Sequence, residues 1–244
     1  MVTLGGSATS SHFEVFQGLE ELFRRRGIDL DWILYSDYDA MVDAFVKGDI
    51  DLAWNGPLGY VQDQAPAGPA VSRHSDARFE DLLGRRFAFG RRSSEQAGLV
   101  PYYVLKQSGL NPDKDLSAVS FYEERESRNT SDERDVVERV ASGEFDAGAV
   151  SRRTLELMVE DGSLTGHPVR VFWSSPAYSH CCFTAQQDME PQLVAQIEAA
   201  FLVITGSDEV ERAVLEGEGC SSFVAGVEEG WEIIEDAAVT EGLV

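Results

Sequence analysis

The 244-residue chain has only three cysteines, eight prolines, four histidines and three lysines, and its 20 basic residues face 43 acidic ones. No apolar run approaches the ~20 residues that span a bilayer, so membrane insertion is not expected. The cysteines are Cys181, Cys182 and Cys220. Adjacent cysteines pair poorly with each other and an odd count leaves a thiol over, which excludes a secreted disulfide framework. The net charge of −23 repels polyanions and argues against nucleic acid or anionic lipid as a partner. The acidic excess is spread along the chain and reads as a solvated surface. Its densest runs, Glu123 to Glu126 and Glu209 to Glu218, read as exposed loop or helix faces. There is no phosphate-binding Gly-rich loop, no Gly-x-Ser-x-Gly elbow and no His-Glu-x-x-His. The N-terminus lacks a basic segment followed by an apolar one, so the chain as given is expected in the cytoplasm. Removal of a leader would instead place it in the periplasm or outside the cell.

What is present is an alternation of short apolar runs and amphipathic stretches. Phe13, Phe16, Leu19, Leu22 and Phe23 predict a helix over 13–26. Strands are expected at 30–35, 50–54, 86–90, 118–121, 147–150 and 169–173. Further helices are expected at 38–47, 95–108, 133–142, 151–160 and 190–205. The pattern implies an α/β protein with mostly parallel sheets flanked by helices. A helix, a small-acidic turn and a buried strand recur at 47–53 and 142–150, which suggests two similar lobes. In open α/β sheets ligands sit beyond the carboxyl ends of strands, so the site is expected in a cleft between lobes.

Four segments in register resemble a known family. They run from Tyr38 through Asp51-Leu52-Ala53-Trp54-Asn55-Gly56-Pro57 to Tyr60, from Leu83-Gly84-Arg85-Arg86-Phe87 through Ser93-Ser94 to Leu99-Val100-Pro101, over Phe145 to Val150, and from Val171 to Tyr178. Together they resemble the type II periplasmic solute-binding proteins, within them the phosphonate/phosphite-binding components of phosphate and phosphonate ABC transporters. The resemblance implies a two-lobed type II periplasmic-binding-protein fold with a ligand cleft between lobes. Residues 1–85 plus 184–244 would form lobe 1 and 86–183 an inserted lobe 2. It also implies a small polar ligand and, if the chain is exported, an ABC-transporter permease as partner.

In that family an anion is held at a helix N-terminus by a Ser-Thr-Ser run, where backbone N–H groups and the positive dipole end suit oxyanions. The matching residues here are Ser94, Glu95 and Gln96. Glu95 is a departure: a carboxylate either faces the ligand or decorates the first helical turn. Thr130 to Arg134 replaces a Gly-Ser-His stretch; either Ser131 or Asp132 is a plain N-cap with acids behind it, or Glu133 or Asp132 faces the cleft. Trp54 and Asn55 at a strand end suit a ligand wall, with Tyr38 and Tyr178 nearby, and Ser7 to His12 open the first helix toward it. The expected ligand-binding set is Tyr38, Trp54, Asn55, Ser94, Glu95, Gln96, Glu133, Tyr178 and His180.

The run Ser179-His180-Cys181-Cys182 replaces a segment that usually carries an acid near the hinge. Histidine and cysteine are metal ligands and nucleophiles. In an extended segment His180 and Cys182 share a face and Cys181 points away. The alternatives are a metal or thiol site at His180, Cys181 and Cys182, with iron or zinc as its cofactor, and a small buried thiol pair beside a hydrogen-bonded histidine. The leading expectation is a small-molecule binding protein. The rival is a cytoplasmic enzyme on the same scaffold using His180 and Cys181 or Cys182.

Overall fold

The computed structural model describes residues 1–8, 12–36, 38–56, 64–66, 69–72, 78–129, 131–167, 169–179, 182–226 and 230–243. The chain forms two compact units, Met1–Asp63 with His180–Glu228, and Gln64–Ser179 with Glu229–Val244.

The first unit is built on strands β1 (Val2–Ser7), β2 (Leu30–Tyr35), β3 (Leu52–Asn55) and β11 (Cys182–Ala185), in the order β11-β3-β1-β2. β1 runs parallel to both β2 and β3, and β11 closes the edge antiparallel to β3. Helices α1 (His12–Arg24), α7 (Pro191–Leu202) and α8 (Glu209–Glu218) belong to this unit. Of the predicted apolar positions of α1, Phe13 is exposed, whereas Phe16, Leu19, Leu22 and Phe23 are buried, with Val15, against Leu4, Leu52, Phe201 and Val214. Each such side chain contributes about 1.5–3 kcal/mol on leaving water. Helix α2 (Tyr38–Lys47) covers the other face through Met41 and Ala44 against Ile50 and Ala53. Two glycines of β1 permit this double packing. A Cβ on Gly6 would lie 2.5 Å from the Phe16 ring, and one on Gly5 2.2 Å from Ile50 Cδ1.

The second unit has strands β5 (Pro69–Ser72), β6 (Arg86–Ala88), β7 (Ala118–Ser120), β8 (Ala147–Ala149) and β9 (Arg170–Ser174), in the order β7-β6-β8-β5-β9. β6 is parallel to β7 and β8, while β5 is antiparallel to β8 and β9. A separate ribbon pairs β4 (Gln64–Pro66) with β10 (Ala177–Ser179). Helix α3 (Val100–Gln107) follows directly on a π-type turn, Glu95–Leu99, and α4 (Pro112–Asp115) is a single turn. Helices α5 (Asp132–Ser142), α6 (Arg152–Glu160) and α9 (Glu232–Thr240) complete the unit. Its core holds Phe87, Phe89, Leu105 and Phe121.

The expected boundaries of 1–85, 86–183 and 184–244 shift in three places, the first being residues 180–183, which join the first unit, where β11 pairs with β3. Residues 64–85 join the second unit because β5 hydrogen-bonds to β8 and β9, and β4 to β10. Residues 229–244 join it too: α9 packs on α3, and Lys106 Nζ meets Glu241 Oε1 at 2.6 Å. The acidic run at Glu123 to Glu126 is not wholly a surface face either. Arg125 inside it is buried. Its guanidinium donates to Asp135 at 2.6 Å and to the carbonyls of Phe89 and Ser120 at 2.6 and 2.7 Å. No helix among the described residues is long and apolar enough to cross a membrane.

Candidate functional site

In the first unit, the carboxyl ends of β1 and β3 and the start of α1 bring Ser7, His12, Trp54 and Asn55 to one edge. His12 is buried, and its Nδ1–H donates to the Ser7 carbonyl. Burial lowers its pKa, outweighing the Ser7 carbonyl that favours the charged form, so the ring is neutral at pH 7. Its face lies 4.4 Å from the Trp54 ring, centroid to centroid and inclined at 64°. The Trp54 indole N–H donates to Glu218 Oε2 at 3.0 Å.

Asn55 points to the opposite face of the sheet, as alternation requires. Its Nδ2 donates to Thr184 Oγ1 at 3.1 Å, and the Cys182 thiol meets the same hydroxyl at 3.1 Å. The Gly56 N–H donates to the Tyr38 hydroxyl at 3.2 Å, anchoring the start of α2 to the end of β3. The structure thus brings Tyr38, Trp54 and Asn55 to one strand end. It also buries Asn55 and commits its amide within the sheet. The Cys182 thiol is pushed up to about 12 by burial, against the Thr184 hydroxyl, so it is protonated and poorly nucleophilic. His180 and Cys181 lie outside the described residues. Among the described residues, no three His, Cys, Asp or Glu side chains come together to hold a metal ion.

In the second unit, three helical segments follow the carboxyl ends of β6, β7 and β8 in the chain. Ser94 Oγ accepts from Ala97 N–H at 3.1 Å, Ser131 Oγ from Arg134 N–H at 3.3 Å and Ser151 Oγ from Thr154 N–H at 3.1 Å. Each is an N-cap that satisfies a helix-end donor. Gly98 is obligatory in the first of them, since a Cβ there would meet the Arg91 carbonyl at 2.0 Å.

Acidic side chains tie these helix starts together. Asp132 Oδ2 accepts from Arg91 N–H at 2.9 Å, joining α5 to the turn before Ser94. Glu133 Oε2 accepts from the hydroxyls of Ser151 and Thr154, joining α5 to α6. Burial raises the Glu133 pKa against those two donors. The N-cap of α5 is Ser131, and Glu133 lies behind it in the first turn. Glu95 is buried and Gln96 half-buried in the turn that Ser94 caps. Tyr178 is buried on the β10–β4 pairing.

Sequence reasoning missed Glu218, Thr184, Ser151 and Thr154 as members of these edges. The pairing of Cys182 with Thr184 had a signal, because residues two apart in a strand share a face. The partnership of Trp54 and Glu218 had none, being 164 residues apart.

Residues 69–231 match the family described as the periplasmic substrate-binding protein of phosphonate ABC transporters. The chain is 25% identical over 195 residues to a probable ABC-transporter phosphite-binding protein of Prochlorococcus marinus, covering 70% of this chain and 63% of that protein. It is 22% identical over 211 residues to a phosphate-import protein of Mycolicibacterium smegmatis, covering 75% of this chain and 64% of that one. The chain therefore spans less than two thirds of the length of these curated relatives. In fold it is similar to the P. marinus protein solved with methylphosphonate, at TM-score 0.78 and 19% identity, covering 100% and 98% of the two chains. It is also similar to a binding component of a phosphonate ABC transporter from Pseudomonas aeruginosa, at TM-score 0.70 and 15% identity, covering 99% and 86%.

Proposed function

The chain belongs to the family of periplasmic substrate-binding proteins of phosphonate ABC transporters, and from that premise we propose that it binds a small phosphorus oxyanion and presents it to a transporter permease. The observation that carries this reading is the Ser94-capped start of the π turn and α3, set beside the starts of α5 and α6. Helix-end N–H groups and the positive dipole ends favour an oxyanion there. The periplasmic setting of the family favours export over a cytoplasmic site of action. The enzyme alternative loses support at Cys182, whose buried thiol is held protonated.

Calorimetric titration with methylphosphonate, phosphite and phosphate, with sulfate as control, tests the proposal. We expect saturable one-to-one binding of at least one phosphorus oxyanion, with Kd of about 1 μM or tighter, or about −8 kcal/mol. A thermal shift equivalent to about 2.7 kcal/mol should accompany ligand at a hundredfold excess over Kd. Absence of both signals with all three anions at millimolar concentration would overturn it.

A further inference from the structure

Glu218 is placed where a carboxylate is poorly served. It is the last residue of α8, which ends at Gly219 in the left-handed conformation, φ 69°. That is the negative end of the helix dipole, where acids are disfavoured. Its Oε2 accepts the Trp54 indole N–H at 3.0 Å, while Oε1 is buried without a hydrogen-bond partner among the described residues. Helix, burial and an unpaired oxygen all work against charge, so local stability gives no account of an acid here. What the group does is hold one ring. Trp54 is fixed at its nitrogen by Glu218 and by an edge-type ring contact with His12, itself tied to the Ser7 carbonyl.

We propose that Glu218 is the positioning residue for Trp54, holding the indole edge-on to His12 at the carboxyl ends of β1 and β3, and that this hold changes with the protonation state of the Glu218 carboxyl group. The charged form is the stronger acceptor for an indole N–H, and the neutral form is the one burial favours. Burial raises this carboxyl to about 7, with the Trp54 bond opposing, so the exchange falls in the neutral range.

The surrounding charges leave the group alone. From α1, the helix packed on α8, His12 is neutral, Glu20 accepts the Trp32 indole, Glu21 pairs with Arg24 and Arg25, and Glu14 is exposed. On α8 itself Glu211 is engaged by the N–H groups of Thr205 and Ser207. On β11 the Cys182 thiol is uncharged. The consequence for ligand affinity rests on the phosphorus-oxyanion reading, whereas the positioning of Trp54 does not.

The test is tryptophan fluorescence of the full chain from pH 5 to 9, with methylphosphonate titrations at both ends of that range. The native chain should show a one-proton emission change with a midpoint near 7, absent from Trp54→Phe. Glu218→Gln, which keeps an acceptor and cannot titrate, should retain the emission maximum and lose the pH dependence. Glu218→Leu should expose the indole to acrylamide quenching and weaken methylphosphonate roughly tenfold, the value of one hydrogen bond. If Glu218→Leu fails to fold, Glu218→Gln alone decides. An unchanged midpoint in Glu218→Gln, or in Trp54→Phe, would overturn the proposal. A native chain that shows the emission change but binds no methylphosphonate would leave the positioning role standing and count against the ligand reading.

Discussion

Arg125 and Asp135 form an ion pair with both side chains almost wholly buried, their Nη1 and Oδ2 atoms 2.6 Å apart. Nη2 of the guanidinium reaches the carbonyls at the ends of β6 and β7 and Nε the Ser120 hydroxyl, and Asp135 also accepts from Arg139 Nε and Asn129 N–H. The pair thereby fixes the start of α5 against the strand ends from which the other helices begin. Burial pushes the Asp135 carboxyl up, but Arg139, the Asn129 N–H and Arg125 outweigh it and leave its pKa below the usual range.

Asp135→Ala leaves Arg125 buried and unpaired. The second unit should lose about 3–5 kcal/mol, the usual cost of breaking a buried pair from one side. Urea unfolding followed by circular dichroism reads this as a lower midpoint. A change below about 1 kcal/mol would mean that the network does not hold this edge.

The pH profile of stability has two limbs of opposite sign. Asp146 is held near 2 by the Arg86 guanidinium, so its contribution is present above about 4 and is lost as pH falls toward 2. Glu218 is raised from 4.5 to about 7 by burial, so its contribution is present below about 4.5 and is lost as pH climbs to about 7. The native chain should lose roughly 2–3 kcal/mol from Glu218 by pH 8, and Glu133, also raised by burial, adds to the same limb. Glu218→Gln should reduce that limb by the Glu218 share in chemical denaturation at pH 5, 6, 7 and 8. A limb of equal size in the variant would assign it to other groups.

The helix start at Ser94 can be probed by its cap and by its acid. Ser94→Ala removes an N-cap and should cost about 1 kcal/mol of stability while weakening methylphosphonate. Glu95→Ser replaces a buried carboxyl with a hydroxyl donor and should tighten methylphosphonate at least roughly fivefold, about 1 kcal/mol. Weaker binding by Glu95→Ser in calorimetry would show that the carboxyl helps to hold the ligand.

Cys182 should be slow to react in the folded chain. A thiol at about 12 rather than 9 carries roughly a thousandfold less thiolate at pH 8. In a Cys181→Ser, Cys220→Ser background, iodoacetamide should label Cys182 slowly until the chain is unfolded. Rapid labelling of the folded chain would restore the thiol-enzyme reading.

The sequence by itself determined the elements whose signal lies within one window of residues. The spacing of Phe13 to Phe23 gave α1 to within a residue or two, and the apolar runs placed β2, β6, β7, β8 and β9 nearly to their ends. Segments in register identified the family, because glycines, caps and strand ends recur at fixed distances. Tertiary structure decided what no window contains. The strands β4, β5, β10 and β11 are three or four residues long and exist through pairings such as Ala70 with Trp173 and Trp54 with Phe183. The C-terminal helix was expected with the first lobe, yet its contacts with α3 and Lys106 place it in the second unit. The Trp54–Glu218 bond and the grip of Glu133 on α6 likewise depend on which faces meet after the chain has closed its loops. Periodicity is paid for locally, residue by residue, whereas a contact across 164 residues is selected only by the packing of the whole unit.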